Sequence, residues 1–267
     1  MNSFHKYINI AGGHLLDLSE PLVMGILNCT PDSFYAGSRS QTEEAIARRA
    51  RAIIDEGGSI IDIGACSTRP DSDFADETEE TERLRMALPI IRRECPEAVL
   101  SVDTFRPNVA RMAVEEYGVS IVNDISGGCE EMYRAVARMG VPYILTSQKA
   151  DTQAIILDLT EKIRILRSIG QKDIIIDPGF GFGKTLEDNY AVMRDLDVLH
   201  ALGLPILVGI SRKSMIYKAL DITQDEALTG TICLNSFALA KGCHILRVHD
   251  VREAADTVRM HKILFNK

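Results

Sequence analysis

The chain of 267 residues is 46% hydrophobic and 25% charged, an ordinary globular composition that suits one barrel or two small domains. A formal net charge of −8 argues against a general nucleic-acid binder, because phosphate backbones select basic faces. The cysteines, Cys29, Cys66, Cys95, Cys129, Cys233 and Cys243, include no Cys-x-x-Cys pair and share no ligand spacing with the histidines, so they read as free thiols in a reducing compartment.

From Met1 to Asp17 there is no signal-peptide core, and no apolar run in the chain approaches the roughly 18 residues of a membrane span. A cytoplasmic protein without membrane or nucleic-acid partners is the expectation. Tyr7–Ile10 and Leu15–Asp17, joined through Gly12-Gly13, predict a β-hairpin that closes a barrel floor. Short apolar, β-branched runs then recur at Val23–Leu27, Ile60–Ile63, Val99–Asp103, Ser120–Asn123, Val141–Leu145, Ile174–Asp177, Ile206–Gly209 and Ile245–Val248. Near-continuous apolar character fits strands covered on both faces. Between them, Thr42–Glu56, Glu79–Glu94, Asn108–Tyr117, Glu130–Met139, Leu186–Leu199 and Asp225–Lys241 carry amphipathic helical spacing, and Gln148 to Lys172 has room for one more helix. Spacing of about 30 residues per strand is that of successive βαβ units. The pattern predicts a single domain over residues 1–267, an α/β (β/α)₈ TIM barrel with a short N-terminal β-hairpin. A doubly wound open sheet is the structural competitor.

Chemistry in such barrels gathers at the carboxyl ends of strands. Those positions hold Asn28, Asp62, Asp103, Asn123, Asp177, Ser211 to Ser214, and Arg247 with His249. Singly, an Asp or Asn there serves equally well as a helix cap. Together they describe a mouth lined by acids and amides, suited to a donor-rich ring: carboxylates at Asp103 and Asp177 match a planar N–C–N edge, and Asn123 suits a mixed amide-like edge. Lys213, Ser214, Arg247 and His249 follow the seventh and eighth strands, where such barrels often bind phosphate. The segment Gly179 to Thr185 invites a nucleotide-loop reading but has Pro178 where a P-loop needs glycine, so Lys184 reads as a solvated or helix-start residue.

Met24 to Phe34 (MGILNCTPDSF), Asp62-Ile63-Gly64 followed by Ser67-Thr68-Arg69-Pro70, Ser101-Val102-Asp103-Thr104, Asn123 to Gly128, Asp177 to Thr185, Ser211-Arg212-Lys213-Ser214 and Arg247-Val248-His249-Asp250-Val251 resemble, in order, the motifs of the dihydropteroate synthases. The resemblance spans about residues 20 to 255. It implies a transferase of folate biosynthesis that joins 6-hydroxymethyl-7,8-dihydropterin diphosphate to p-aminobenzoate and is a target of sulfonamides. It assigns the pterin to Asp103, Asn123, Asp177 and Lys213, and the diphosphate to Asn28, Arg69, Arg247 and His249, with Mg²⁺ at Asn28. Thr68, Pro70, Phe34 and Ser214 would hold p-aminobenzoate, and Asp103, Lys213, Arg69 and Phe34 would be catalytic. A homodimer is expected from the resemblance alone. Ala65-Cys66 and Leu145-Thr146-Ser147-Gln148 depart from the family pattern, which commonly has Gly-Glu and Met-His-Met there. Two other readings therefore stay open: a catalytically weak pterin-binding paralogue and a pterin-dependent corrinoid methyltransferase.

Overall fold

A computed structural model describes residues 7–10, 13–29, 39–65 and 75–265. Strands β1 (Tyr7–Ile10) and β2 (His14–Asp17) pair antiparallel. After β3 (Leu22–Asn28) the chain alternates helix and strand: α1 (Arg39–Asp55), β4 (Ile60–Gly64), α2 (Glu77–Glu94), β5 (Val99–Asp103), α3 (Pro107–Tyr117), β6 (Ile121–Asp124), α4 (Glu130–Met139), β7 (Tyr143–Thr146), α5 (Thr152–Ser168) and β8 (Ile174–Asp177). Then come α6 (Leu186–Arg194), a 3₁₀ helix (Leu196–Leu202), β9 (Leu207–Val208), α7 (Ser214–Leu220), α8 (Leu228–Ala240), β10 (Ile245–Val248) and α9 (Val251–Phe265).

The eight strands from β3 onward form one parallel sheet in the order β8-β7-β6-β5-β4-β3-β10-β9. Its two edges meet where Ile176 bridges Ile206, with the Ile176 N–H donating to the Pro205 carbonyl at 2.9 Å. The sheet is a barrel, not a doubly wound plane.

Side chains pointing outward and inward obey different rules. Outward ones such as Ile61, Ile63, Leu100, Val102, Val122, Leu145 and Ile176 share one apolar core with the helices. Inward ones change character along each strand. Near the strand starts, Met24, Ile60, Ile121, Ile144, Ile175, Leu207 and Ile245 form a second core, which Ile8, Leu16 and Leu18 of the hairpin segment plug from below. Two residues later, on the same face by the period of a strand, stand Asp62, Asn123, Thr146, Asp177 and Arg247. Hydrophobic burial thus fixes the floor and delivers polar groups to the mouth.

Several elements differ from expectation. The seventh barrel strand, expected over Ile206–Gly209, is a two-residue strand. The helix expected over Leu186–Leu199 breaks at Asp195 into a 3₁₀ turn, because Leu196, Leu199 and Leu202 recur every three residues and all face the core. The helix expected at Asp225 starts at Leu228. Helix α9, which packs on α8 and closes the helical ring, was not among the expected helices.

Because Leu18 is 3% exposed in the floor core, Leu18→Ala should lower stability by about 2–3 kcal/mol in urea unfolding while leaving ligand affinity at the opposite end unchanged. Parallel losses of both would show that the floor and mouth are not independent.

Candidate active site

The mouth is organised by a guanidinium that crosses the barrel. Arg247 stands on β10, yet its Nε donates to Asp62 Oδ2 on β4 at 2.6 Å and its Nη2 to Asp103 Oδ2 on β5 at 2.6 Å. These strands are not neighbours, so the side chain reaches across the interior. Asn123, one register step beyond Asp103 on β6, donates its Nδ2 to the same Asp62 Oδ2 at 3.0 Å. Asp62 is fully buried, and its Oδ1, together with Ser101 Oγ, Asn123 Oδ1 and Thr146 Oγ1, finds no hydrogen-bond partner among the described residues. Such atoms are costly to bury without a partner, and a polar ligand would supply one.

Asp177 and Lys213 form the adjoining pair. Asp177 Oδ1 accepts from the Gly179 N–H at 2.7 Å. That tight turn requires glycine: φ is +70°, and a Cβ would lie 2.1 Å from the Ser147 carbonyl oxygen. Lys213 donates to the Phe180 carbonyl, and its Nζ lies 4.6 Å from the centroid of the Phe182 ring. Burial lowers the Lys213 ammonium to about 8 against the pull of Asp177. Burial also pushes the Asp103 carboxyl up to about 7, although Arg247 beside it favours the charged form, and it raises Asp177 against the opposing charge of Lys213.

Lys213 points inward because Arg212 does not. Arg212 sits in the left-handed region at φ 53°, which is uncommon for a residue with a side chain. Its guanidinium is anchored outside by both oxygens of Asp250, at 2.9 and 2.8 Å, and by the Asp225 carbonyl at 2.6 Å. The same turn sets His249, whose Nδ1 lies 3.0 Å from Ser211 Oγ, and that hydroxyl also accepts from the His249 N–H at 3.1 Å. Burial, reinforced by Arg247, lowers the His249 imidazole to about 4. Ser214 is the first residue of α7.

Asp103, Asn123, Asp177, Lys213 and Arg247 therefore converge, with His249 and Asn28 at the rim. Phe34, Thr68, Arg69 and Pro70 lie outside the described residues. Asp62, Arg212 and Ser211 were visible as strand-end or motif residues but received no role; only the folded geometry shows what each holds. Lys184 is half-buried rather than solvated: it lies just before Thr185, the N-cap of α6, and its Nζ donates to the carbonyls of Gly179, Phe182 and Ser147. The departing end of β7 is well held, since Ser147 donates to Asp158 at 2.6 Å, Lys162 donates to Asp158 at 2.9 Å and Gln148 donates to the Ile125 carbonyl at 2.9 Å.

For a metal, the described residues contain no group of three or more His, Cys, Asp and Glu able to enclose one. Asn28 is exposed at the end of β3, and neighbouring Gly64 is bare backbone; a Cβ there would fall 3.5 Å from Asn28 Oδ1 and 3.7 Å from Asp103 Cβ. One exposed neutral oxygen fits Mg²⁺, which keeps several waters and takes further oxygens from substrate phosphates.

Comparison with known proteins agrees with this geometry. The sequence model of a family described as pterin binding enzyme matches residues 24–249. A dihydropteroate synthase of Bacillus subtilis (strain 168) is 39% identical over 258 residues, covering 92% of this chain and 89% of its own length. The structure of a Xanthomonas albilineans dihydropteroate synthase with 4-aminobenzoic acid superposes with a TM-score of 0.89 at 34% identity, over 98% of this chain and 99% of that one. One from Clostridium difficile in the presence of pteroic acid gives 0.88 at 34% identity, over 93% and 98%.

The His249 ring should stay neutral until about pH 4 when its titration is followed by NMR. The unfolded chain takes up that proton near pH 6.5, so this group's contribution to stability is complete above 6.5 and is lost as pH falls toward 4. A midpoint near 6.5 in the folded protein would contradict the buried, Ser211-bound placement.

Proposed function

This chain belongs to the dihydropteroate synthase family of pterin-binding enzymes, and we infer from that membership that it condenses 6-hydroxymethyl-7,8-dihydropterin diphosphate with p-aminobenzoate, yielding 7,8-dihydropteroate and diphosphate. The observation that carries the reading to these residues is the convergence of Asp103, Asn123, Asp177, Lys213 and Arg247 on one barrel mouth above an apolar floor.

In this reading the pterin enters ring first. Asp177 accepts from the N–C–N donor edge through parallel hydrogen bonds, Asn123 meets the adjoining edge, and Lys213 donates to the ring. The diphosphate rests at the rim against Asn28, Arg69, Arg247 and His249. Asn28 would hold Mg²⁺, which when bound neutralises charge on the diphosphate oxygens. Phe34, Thr68, Pro70 and Ser214 enclose p-aminobenzoate.

The bond between the pterin methylene and the diphosphate oxygen breaks first. The electron pair leaves with diphosphate, and positive charge spreads into the ring. Asp103 and Asp177 supply the carboxylate charge of the inner mouth toward it, Asp62 being engaged by Arg247 and Asn123. Asp103 faces it most directly as a fixed, preorganised group rather than solvent that must reorient. The aromatic amine then attacks the methylene carbon and loses a proton. No protein nucleophile takes part. His249, kept neutral, donates or accepts a hydrogen bond at the leaving group without competing for a proton.

The resemblance also supports a homodimer in the cytoplasm. The reading of reduced thiols fits the described cysteines, all of which are free, and no helix among the described residues is long and apolar enough to cross a membrane.

Incubation with dihydropterin diphosphate, p-aminobenzoate and Mg²⁺ should release diphosphate and form dihydropteroate in equal amounts. Pterin binding without turnover would instead mark a non-catalytic pterin binder. Lys213→Ala and Asp103→Ala should each lower kcat/KM by about 100-fold or more with unchanged circular dichroism, since each removes a charge aimed at the reacting ring. Either variant retaining a large fraction of wild-type activity would overturn its assignment. Sulfonamides should compete with p-aminobenzoate; inhibition that excess p-aminobenzoate fails to relieve would contradict the site.

A further inference from the structure

Asp62 is more completely buried than any described group assigned above, and it touches two of them. Its Oδ2 accepts from Arg247 Nε at 2.6 Å and from Asn123 Nδ2 at 3.0 Å, and the residue is 0% exposed. The geometry points to Asp62 as a positioning residue for the pterin site, one that fixes the direction in which Asn123 presents its amide and the path along which Arg247 crosses the barrel.

An amide has two faces of similar shape and opposite hydrogen-bonding sense. Left alone at a barrel mouth, Asn123 would turn over to suit whatever approached. An ionised carboxylate is an acceptor only, so Asp62 takes the amino end and rejects the carbonyl end. Asn123 Oδ1 is thereby left as a buried acceptor with no protein partner. The pocket thus selects a ring that donates at that edge, and a ring that accepts there meets two opposed lone pairs.

The same oxygen orients Arg247. A guanidinium with one partner swings about that bond, whereas one held at Nε by Asp62 and at Nη2 by Asp103 has its plane fixed. The second contact has a consequence for binding. Asp103 shares its charge with Arg247, so an incoming pterin that engages Asp103 draws against that pair, while Asp62 retains the arginine in place. Asp62 meets neither substrate on this account; it acts through Asn123 and Arg247.

The inference rests on the pterin reading of the mouth, and calorimetric binding of the dihydropterin diphosphate tests it without requiring turnover. Asp62→Asn keeps the shape and removes the acceptor-only character. It should weaken pterin affinity, and raise the pterin KM, by about tenfold, with kcat and the p-aminobenzoate KM within about twofold of wild type and an unchanged melting temperature. Asp62→Leu, which also removes both acceptors, should weaken pterin affinity by about 100-fold. In an Asn123→Ala background, Asp62→Asn should add at most about threefold, because the amide it orients is gone.

Wild-type pterin affinity in Asp62→Asn would overturn the proposal. So would full additivity with Asn123→Ala, or a loss in which the p-aminobenzoate KM and melting temperature change alongside the pterin KM, the pattern of a purely structural carboxylate. Should the leucine variant fail to fold, the asparagine variant and its cycle with Asn123 decide alone. A chain that binds the pterin yet forms no dihydropteroate would sink the synthase reading and leave this inference standing.

Discussion

The structure depends on one long reach, from Arg247 on β10 to Asp62 and Asp103, two and three strands away around the same barrel. A guanidinium placed among inward-facing side chains is unaffordable alone, since removing one partner of a buried ion pair costs about 3–5 kcal/mol. Two carboxylates must therefore face it, and each in turn commits its neighbours. Asp62 takes the amide of Asn123, and Asp103 rises toward neutrality through burial while remaining paired. Three strands are tied together by charge at the level where the apolar floor ends. The barrel's mechanical closure and its chemistry share those atoms.

A second constraint operates one turn away. Arg212 accepts an uncommon backbone conformation so that its own charge faces Asp250 on the outside and that of Lys213 faces Asp177 on the inside. Two adjacent cations in sequence are separated by the barrel wall. Without the anchor, the two would lie on the same exposed turn, and Lys213 would keep its full hydration rather than the depressed basicity that burial gives it. At the same mouth, beside Asp177, Ser147, Asp158 and Lys162 stitch the end of β7 to α5. A sequence that departs from the family pattern at that strand end still finishes with Ser147 and Gln148 hydrogen-bonded, while Thr146 Oγ1 finds no partner among the described residues.

How much of this was legible beforehand follows from what each signal depends on. The barrel strands were readable because burial on both faces writes an unbroken apolar run, and several, such as Val99–Asp103 and Ile245–Val248, match to the residue. Helix ends were less so: α8 starts three residues late, and the Leu196, Leu199, Leu202 spacing hid a 3₁₀ turn inside a helical pattern. Helix α9 was passed over although its buried Val251, Ala254 and Val258 keep helical spacing. In the site, strand-end acids and motif order located Asp103, Asn123, Asp177 and Lys213. Asp62 was noticed and given no task, because sequence shows that a carboxylate stands at a strand end but not which residue across the barrel it will meet. Lys184 stands at a helix start as expected, but its burial was not legible: its Nζ donates to Gly179 and Phe182 of its own loop and to Ser147 of a distant one, a fold of the side chain that no local pattern records.

Four oxygens, on Asp62, Ser101, Asn123 and Thr146 of the successive strands β4 to β7, find no partner among the described residues. Under the proposed reading a bound pterin would partner the oxygen of Asn123, and a ligand bound only by the folded form shifts the unfolding equilibrium in proportion to its concentration. On that reading, a cell starved of the pterin would hold a chain that opens more often and meets proteases sooner, and the abundance of the chain would follow the supply of its own ligand.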